Sequence, residues 1–158
     1  MSLVIRQARP EDTALILQMI RELADFEKLL DQVVADEAIL RQSLFSDPKG
    51  PEVLIAEENK KPVGFVLFFH NFSTFLGRKG IYIEDLYVRQ EYRGKGYGEA
   101  ILKEICLLAQ KRNCGRVEWW VLDWNERAIN FYKKIGAVPM SDWTVFRLTE
   151  ESIDRLSK

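Results

Sequence analysis

The apolar positions of this 158-residue chain change period several times, and each change marks an element. Val4 and Ile5 predict a short strand before the turn at Arg9-Pro10. Leu15, Ile16, Met19, Ile20, Leu23 and Phe26 recur every three or four residues and predict a helix. Pro10 suits its first position, and Glu11 and Asp12 fall in its first turn, where the helix dipole favours acids. A second helix is predicted from about Ala35 to Phe45, through Ile39, Leu40 and Leu44, stopped by the turn at 46–51. Then the spacing becomes that of strands. Val53–Ala56 is followed by a turn at 58–61, and Val63–Phe69 is so uniformly apolar that both its faces should be buried. A polar loop around 71–79 leads to a strand at Ile81–Val88 and a glycine-rich turn at Arg93–Gly98. Ile101, Leu102, Ile105, Leu108 and Ala109 predict an amphipathic helix ending near 113–115, with a strand at Arg116–Leu122 beyond it. Asn125 reads as the N-cap of a helix through Ala128, Phe131, Tyr132 and Ile135, and Gly136 as its stop. Closing strands are expected at Ala137–Met140 and Trp143–Leu148, and a short last helix at Ser152–Leu156. This order predicts one α+β domain over residues 1–158.

Composition narrows the chemistry. Twenty-three Lys and Arg against 24 Asp and Glu give a net charge of −1, which argues against a dedicated nucleic-acid binder. With 2 Cys and 1 His, a structural zinc site and a disulfide framework lack their residues, a Ser-His-Asp triad would have to use His70, and no metal is expected. The longest apolar run, Phe65–Phe69, is far short of the ~20 residues that span a bilayer. The expectation is a soluble, cytoplasmic protein without membrane association, since no leader pattern is visible at the start.

The informative segment is Ile83-Glu84-Asp85-Leu86-Tyr87-Val88, then Arg93-Gly94-Lys95-Gly96-Tyr97-Gly98, then a helix. Strand, glycine turn and helix make an anion site, because the first helical N–H groups lack internal partners and glycines let the backbone come close. The P-loop pattern is absent, and the dinucleotide fingerprint fails because Glu99 stands at its third glycine. A different pyrophosphate is implied. Charge agrees: residues 89–116 carry seven basic and three acidic side chains, and residues 22–58 carry ten acidic and three basic. One region suits a polyanion and the other a cation.

Arg93-x-x-Gly96-x-Gly98 matches the signature with which the GNAT superfamily of N-acetyltransferases opens a helix after a strand. Residues 124–137, with Asn125, Tyr132 and Gly136-Ala137, resemble its second block. The stretches 22–27, 83–88 and 123–133 look most like the diamine branch, which acts on spermidine, spermine and thialysine. The resemblance spans essentially the whole chain. It implies the GNAT fold, a mixed and mostly antiparallel sheet flanked by helices, with a splayed strand pair forming a wedge for acetyl-CoA. Pyrophosphate would lie on the amides of Gly94, Lys95, Gly96, Tyr97, Gly98 and Glu99, with Arg93 beside it. The pantetheine arm would add to the edge of Leu86, Tyr87 and Val88, with Asn125 and Ala128 on its other side.

The resemblance further implies direct acetyl transfer, in a ternary complex, to a primary amine of a small cationic acceptor. An alkyl amine of pKa ~10.4 is neutral in about one molecule in 2,500 at pH 7, so a proton must be removed at a cost of ~4.6 kcal/mol. Glu84 is the implied acceptor of that proton, directly or through water. Asp85 would join it at the substrate only if a bulge interrupts the strand. Leu86 N–H would hold the oxyanion, Tyr132 would protonate or stabilise the departing thiolate, and Glu27 would meet the acceptor's distal ammonium. Polyamine-acting relatives carry an acid and a Trp where this chain has Ser73, Thr74 and Phe75, which disfavours long polyamines. A homodimer is the family expectation. Two other readings stand beside this one: a protein or peptide N-acetyltransferase, and a non-catalytic acetyl-CoA-binding regulatory module. His70, at the end of a buried strand, reads as neither ligand nor base, and Cys106 reads as a packed thiol.

Overall fold

Val4 and Ile5 lie in β1 (Leu3–Gln7) of a computed structural model that describes residues 2–48 and 50–158. Pro10 opens a 3-10 turn, Pro10–Asp12, where its missing N–H has no helical partner to lose. α1 (Thr13–Phe26) follows, with Ile16 and Met19 fully buried. Asp12 accepts both Nη groups of Arg6, at 2.8 and 2.9 Å, while Arg6 Nε donates to Glu57 at 3.0 Å. That fork ties the helix start to two strands. α2 (Glu37–Phe45) begins later than its apolar pattern suggests, because Asp36 is its N-cap and accepts from Ile39 N–H at 2.8 Å.

β2 (Glu52–Glu58), β3 (Lys61–Ser73) and β4 (Arg78–Val88) continue an antiparallel meander from β1. After α3 (Tyr97–Lys111), β5 (Val117–Trp119) joins β4 in parallel, giving the order β1-β2-β3-β4-β5 among the described residues. The polar stretch at 71–79 is a tight turn rather than a long loop. Ser73 closes it, accepting from Leu76 N–H on its hydroxyl at 3.1 Å and from Gly77 N–H on its carbonyl at 2.8 Å.

Each face of the sheet carries helix. Ile16, Met19 and Leu44 cluster with Val53, Ile55, Phe65, Leu67 and Tyr87. Val66 and Phe68 alternate with Phe65 and Leu67, so they point to the opposite face, and α3 packs on β1, β3 and β4. β3 is buried from Val63 to Phe68, whereas Phe69, the last residue of the expected buried run, is exposed. Cys106 is exposed rather than packed. It follows Ile105 by one residue, about 100° around the helix, and so leaves the buried row of Tyr97, Ile101, Ile105 and Ala109.

The chain divides into two compact units at Trp120/Val121. In the second, α4 (Glu126–Lys134) is capped by Asn125, which accepts from Ala128 N–H at 3.3 Å, and ends before Gly136 at φ 96°. α5 (Glu150–Leu156) starts from the Thr149 cap. The closing strands expected at Ala137–Met140 and Trp143–Leu148 do not form. A strand needs a ladder partner as well as an alternating pattern, and no described strand pairs with these residues. For the same reason the strand expected at Arg116–Leu122 shrinks to Val117–Trp119, the length that finds partners on β4.

Gly64 lies opposite Val88, and a Cβ there would meet the Tyr87 carbonyl oxygen at 2.4 Å. Gly64→Ala should therefore lower stability by about 1–3 kcal/mol, the scale of an overpacked core. Urea unfolding measures it; an unchanged midpoint would mean that β3 and β4 have room to part.

Candidate active site

The site grows from one irregularity in β4. Leu67 of β3 pairs with Asp85 and the next residue, Phe68, pairs with Ile83, so Glu84 is an extra residue on β4. The backbone directions confirm the slip. Ile81 N–H donates towards β5, to Arg116 O at 3.0 Å, whereas Arg89 N–H donates towards β3, to Val63 O at 2.8 Å. Strand amides alternate in direction, and these two residues, eight apart, would share a direction in an uninterrupted strand. The bulge reverses the sense. Beyond it, Asp85 and Tyr87 direct their amides to β3, and Leu86 and Val88 direct theirs to the other edge.

That other edge is open. β5 pairs only with Ile81–Ile83, while β4 continues to Val88. The two strands thus share a three-residue ladder, and among the described residues no strand covers β4 past it. Leu86 N–H and Val88 N–H face this gap. Trp120 stands edge-on to Tyr82 at 5.8 Å between ring centroids, where the short ladder ends.

The bulge also turns Asp85 and Tyr87 to the α1 face, opposite Leu67 and Phe65. There α1 is tied to β4. Tyr87 Oη donates to Glu22 Oε1 at 3.1 Å, and Arg89 grips both Glu22 oxygens at 3.1 and 3.0 Å. Burial and the Glu22 bond push the Tyr87 phenol up to about 12, so it stays a donor. Arg93 lies with its guanidinium 4.6 Å from the Phe26 ring centroid and 5.8 Å from that of Tyr87, and its Nε donates to Val88 O at 3.0 Å. Arg93 thereby pins the glycine turn to α1 and to the last carbonyl of β4.

The turn fits an anion. Gly94 and Gly96 take φ of 81° and 80°, a left-handed conformation that glycine adopts without strain. A Cβ on Gly94, Gly96 or Gly98 would meet nothing within 4 Å, so the cradle is open. Gly96 caps α3, whose first amides point out of the helix. Lys95 turns instead towards Glu58, at 3.3 Å, and the Tyr97 hydroxyl donates to the same carboxylate. Both hold the turn against the β2–β3 hairpin.

Glu27, Glu84 and Asp85 form the negative end of the site. Glu84 is exposed, while Glu27 and Asp85 are partly buried. Burial pushes the Asp85 carboxyl up to about 7, with Glu84 and then Glu27 adding to the shift, and burial also raises Glu27. Lying close enough for Glu84 and Glu27 to act on Asp85, these carboxylates present a field for a cation.

The structure thus brings Glu27, Glu84, Asp85, Leu86–Val88 and the Arg93–Glu99 turn into one unit. Asn125, Ala128 and Tyr132 belong to the second unit, where Asn125 caps α4 and the Tyr132 ring lies 5.7 Å from that of Phe131. Sequence reasoning missed the anchors Glu22, Arg89 and Glu58. Their only signal was charge in otherwise patterned elements, which does not reveal an ion-pair partner 37 or more residues away.

A sheet opened beyond a short parallel ladder, beside a glycine cradle at a helix start, suits an extended ligand with an anionic group. The comparisons agree. Residues 17–137 match the acetyltransferase (GNAT) family model, and the chain belongs to that family as an N-acetyltransferase. It is 39% identical over 165 residues to the thialysine N-epsilon-acetyltransferase of Bos taurus, covering 98% of this chain and 96% of that one. It is 33% identical over 199 residues to an L-ornithine N5-acetyltransferase of Arabidopsis thaliana, covering 98% and 87%. Among solved structures, an integron cassette protein from the mobile metagenome of V. cholerae matches with a TM-score of 0.83 and 28% identity, covering 100% and 99%. Enzymes of this family use acetyl-CoA as co-substrate.

Asp85 makes a prediction independent of catalysis. Its folded pKa of about 7 lies above the ~3.9 of an unfolded aspartate, so folding favours the neutral acid. Ionisation then costs stability that is absent below about pH 3.9 and complete above about pH 7. The melting temperature of Asp85→Asn should gain on wild type between pH 4 and 7 and hold that gain above. A pH-independent difference would contradict the shift.

Proposed function

We propose that this enzyme acetylates a primary amine of a small acceptor carrying a second positive charge: a short diamine or polyamine, or a thialysine-like amino acid. The observation that carries this reading is the group of three carboxylates, Glu27, Glu84 and Asp85, at the open end of β4. A chain that carries ten acids between residues 22 and 58 against three basic residues supports a cationic acceptor. The sequence likeness to enzymes named for thialysine and ornithine supports it further.

In this reading acetyl-CoA supplies an activated acetyl thioester. The amides of Gly94–Glu99 hold its pyrophosphate, and Arg93 keeps the turn in place by its contacts with Phe26 and Val88 O. Val88 offers the open edge of β4 to the pantetheine amides, as an added strand would use it. Leu86 N–H, facing the gap, stabilises the oxyanion. The family resemblance assigns Asn125 and Ala128 to the pantetheine arm and Tyr132 to the departing sulfur. A carboxylate of the bulge takes the ammonium proton, and Glu27 meets the distal charge.

The same reading includes a homodimer in the cytoplasm. Val138, Trp143 and Phe146 are 75%, 73% and 91% exposed, and an apolar strip of that kind suits a second copy of the chain. Free Cys106, exposed on α3, suits a reducing compartment.

Steady-state CoA release separates the readings. The panel is spermine, a short diamine, thialysine, a monoamine and a basic peptide. We expect thialysine and the short diamine to lead in kcat/KM, with no advantage for spermine. Glu27→Gln should weaken both leaders several-fold more than the monoamine, because only a second charge meets Glu27. Equal loss for all acceptors, or a preference for the peptide, would sink this assignment of the pocket.

A further inference from the structure

The geometry assigns the ammonium proton to Asp85: its carboxylate is the general base of the transfer, and Glu84 and Glu27 provide the field around it. This deepens the acceptor reading above and rests on it. The bulge is the reason. Without the extra residue, Asp85 would share the face of Ile81 and Ile83; with it, Asp85 stands opposite Leu67 on the face covered by α1. The next residue is Leu86, whose N–H faces the gap. One peptide unit thus carries the group that takes the proton and the group that receives the developing negative charge.

Glu84 is set differently. It is the bulged residue itself and lies exposed to water, off the face that α1 covers. Asp85 is partly buried, and the charged groups acting on it are Glu84 of its own strand and Glu27 at the end of α1. Its partner on β3, Leu67, is apolar.

The chemistry follows in balanced steps. The N–H bond of the ammonium breaks and its proton goes to an Asp85 Oδ, leaving the lone pair on nitrogen. The nitrogen forms a bond to the thioester carbonyl carbon, the C–S bond breaks, and the second nitrogen proton ends on the thiol. Asp85 then returns its proton to water. Raising the base from ~3.9 to ~7 narrows its gap to an amine of ~10.4 by about three pKa units, a ~1,000-fold gain in the proton-transfer equilibrium.

Two measurements test the assignment on the full chain. First, thialysine is titrated calorimetrically into the CoA-saturated protein at pH 7, in buffers of different ionisation enthalpy. A cation arriving beside a half-protonated carboxyl should expel a fraction of a proton. Wild type should show this release, Glu84→Gln a smaller one because the Glu84 charge helps hold the proton on Asp85, and Asp85→Asn none. Second, turnover is compared between a strongly basic acceptor and an aminooxy analogue that is already neutral at pH 7. Asp85→Asn should lose at least 100-fold with the basic amine and less than ten-fold with the neutral one, since only the former needs a base. Acetyl-CoA affinity by calorimetry establishes that the variant is folded. If Asp85→Asn does not fold, Asp85→Glu keeps a titrating carboxyl, and the acid limb of its pH–rate profile should move; an unmoved limb contradicts the assignment. Equal losses with both amines, or proton release that disappears in Glu84→Gln alone, overturn it while leaving the acceptor reading intact. A wild type that acetylates neither amine overturns both.

Discussion

One extra residue in β4 decides what the end of this sheet can do. Upstream of Glu84 the outward amides of β4 are spent on β5; downstream, the same edge belongs to Leu86 and Val88 and meets no strand among the described residues. A regular strand would aim the amides of Asp85 and Tyr87 at the gap, and would send their side chains to the face that holds Ile81 and Ile83. The bulge therefore sets two things together: which backbone donors line the opening, and which side chains lie beneath α1. Bulges commonly re-aim side chains beside active sites, and here the backbone is re-aimed as well.

The rest of unit one holds that edge still. Glu22 binds Tyr87 and Arg89, fixing α1 to the strand just past the bulge. Arg93 packs on Phe26, next to Glu27, and grips the final β4 carbonyl. The Arg89–Glu22 pair is only partly exposed and two-pronged, the geometry in which an ion pair is held most firmly. The consequence is electrostatic division of labour over a short distance. Carboxylates at the α1 end invite a cation, and helix amides at the α3 start invite an anion. An enzyme joining an amine to a CoA thioester needs both fields, each oriented before the substrates arrive.

Much of this was legible in the sequence. The helix periods, the buried run of β3 and the glycine turn before α3 each follow from local pattern, and the fold class from their order. The turn's chemistry was readable because left-handed positions at Gly94 and Gly96 demand glycine. Glu27, Glu84 and Asp85 could be named as candidates, but their surroundings could not. Whether Asp85 shares the site depends on a register slip that no single-strand pattern encodes, since it arises from pairing with Leu67 and Phe68. The absent strands after Ala137 fail for the related reason that alternation describes a face and is silent about a ladder partner. Cys106 misled because apolar neighbours in sequence are not neighbours on a helix surface.

The most direct test is residue-resolved amide hydrogen exchange across β4. The account predicts that the Asp85 and Tyr87 amides, bonded towards β3, are protected in the free protein, while those of Leu86 and Val88 exchange rapidly and slow markedly when acetyl-CoA is added. Protection of Leu86 and Val88 in the free protein, or no slowing with acetyl-CoA, would contradict an edge opened by the bulge at Glu84.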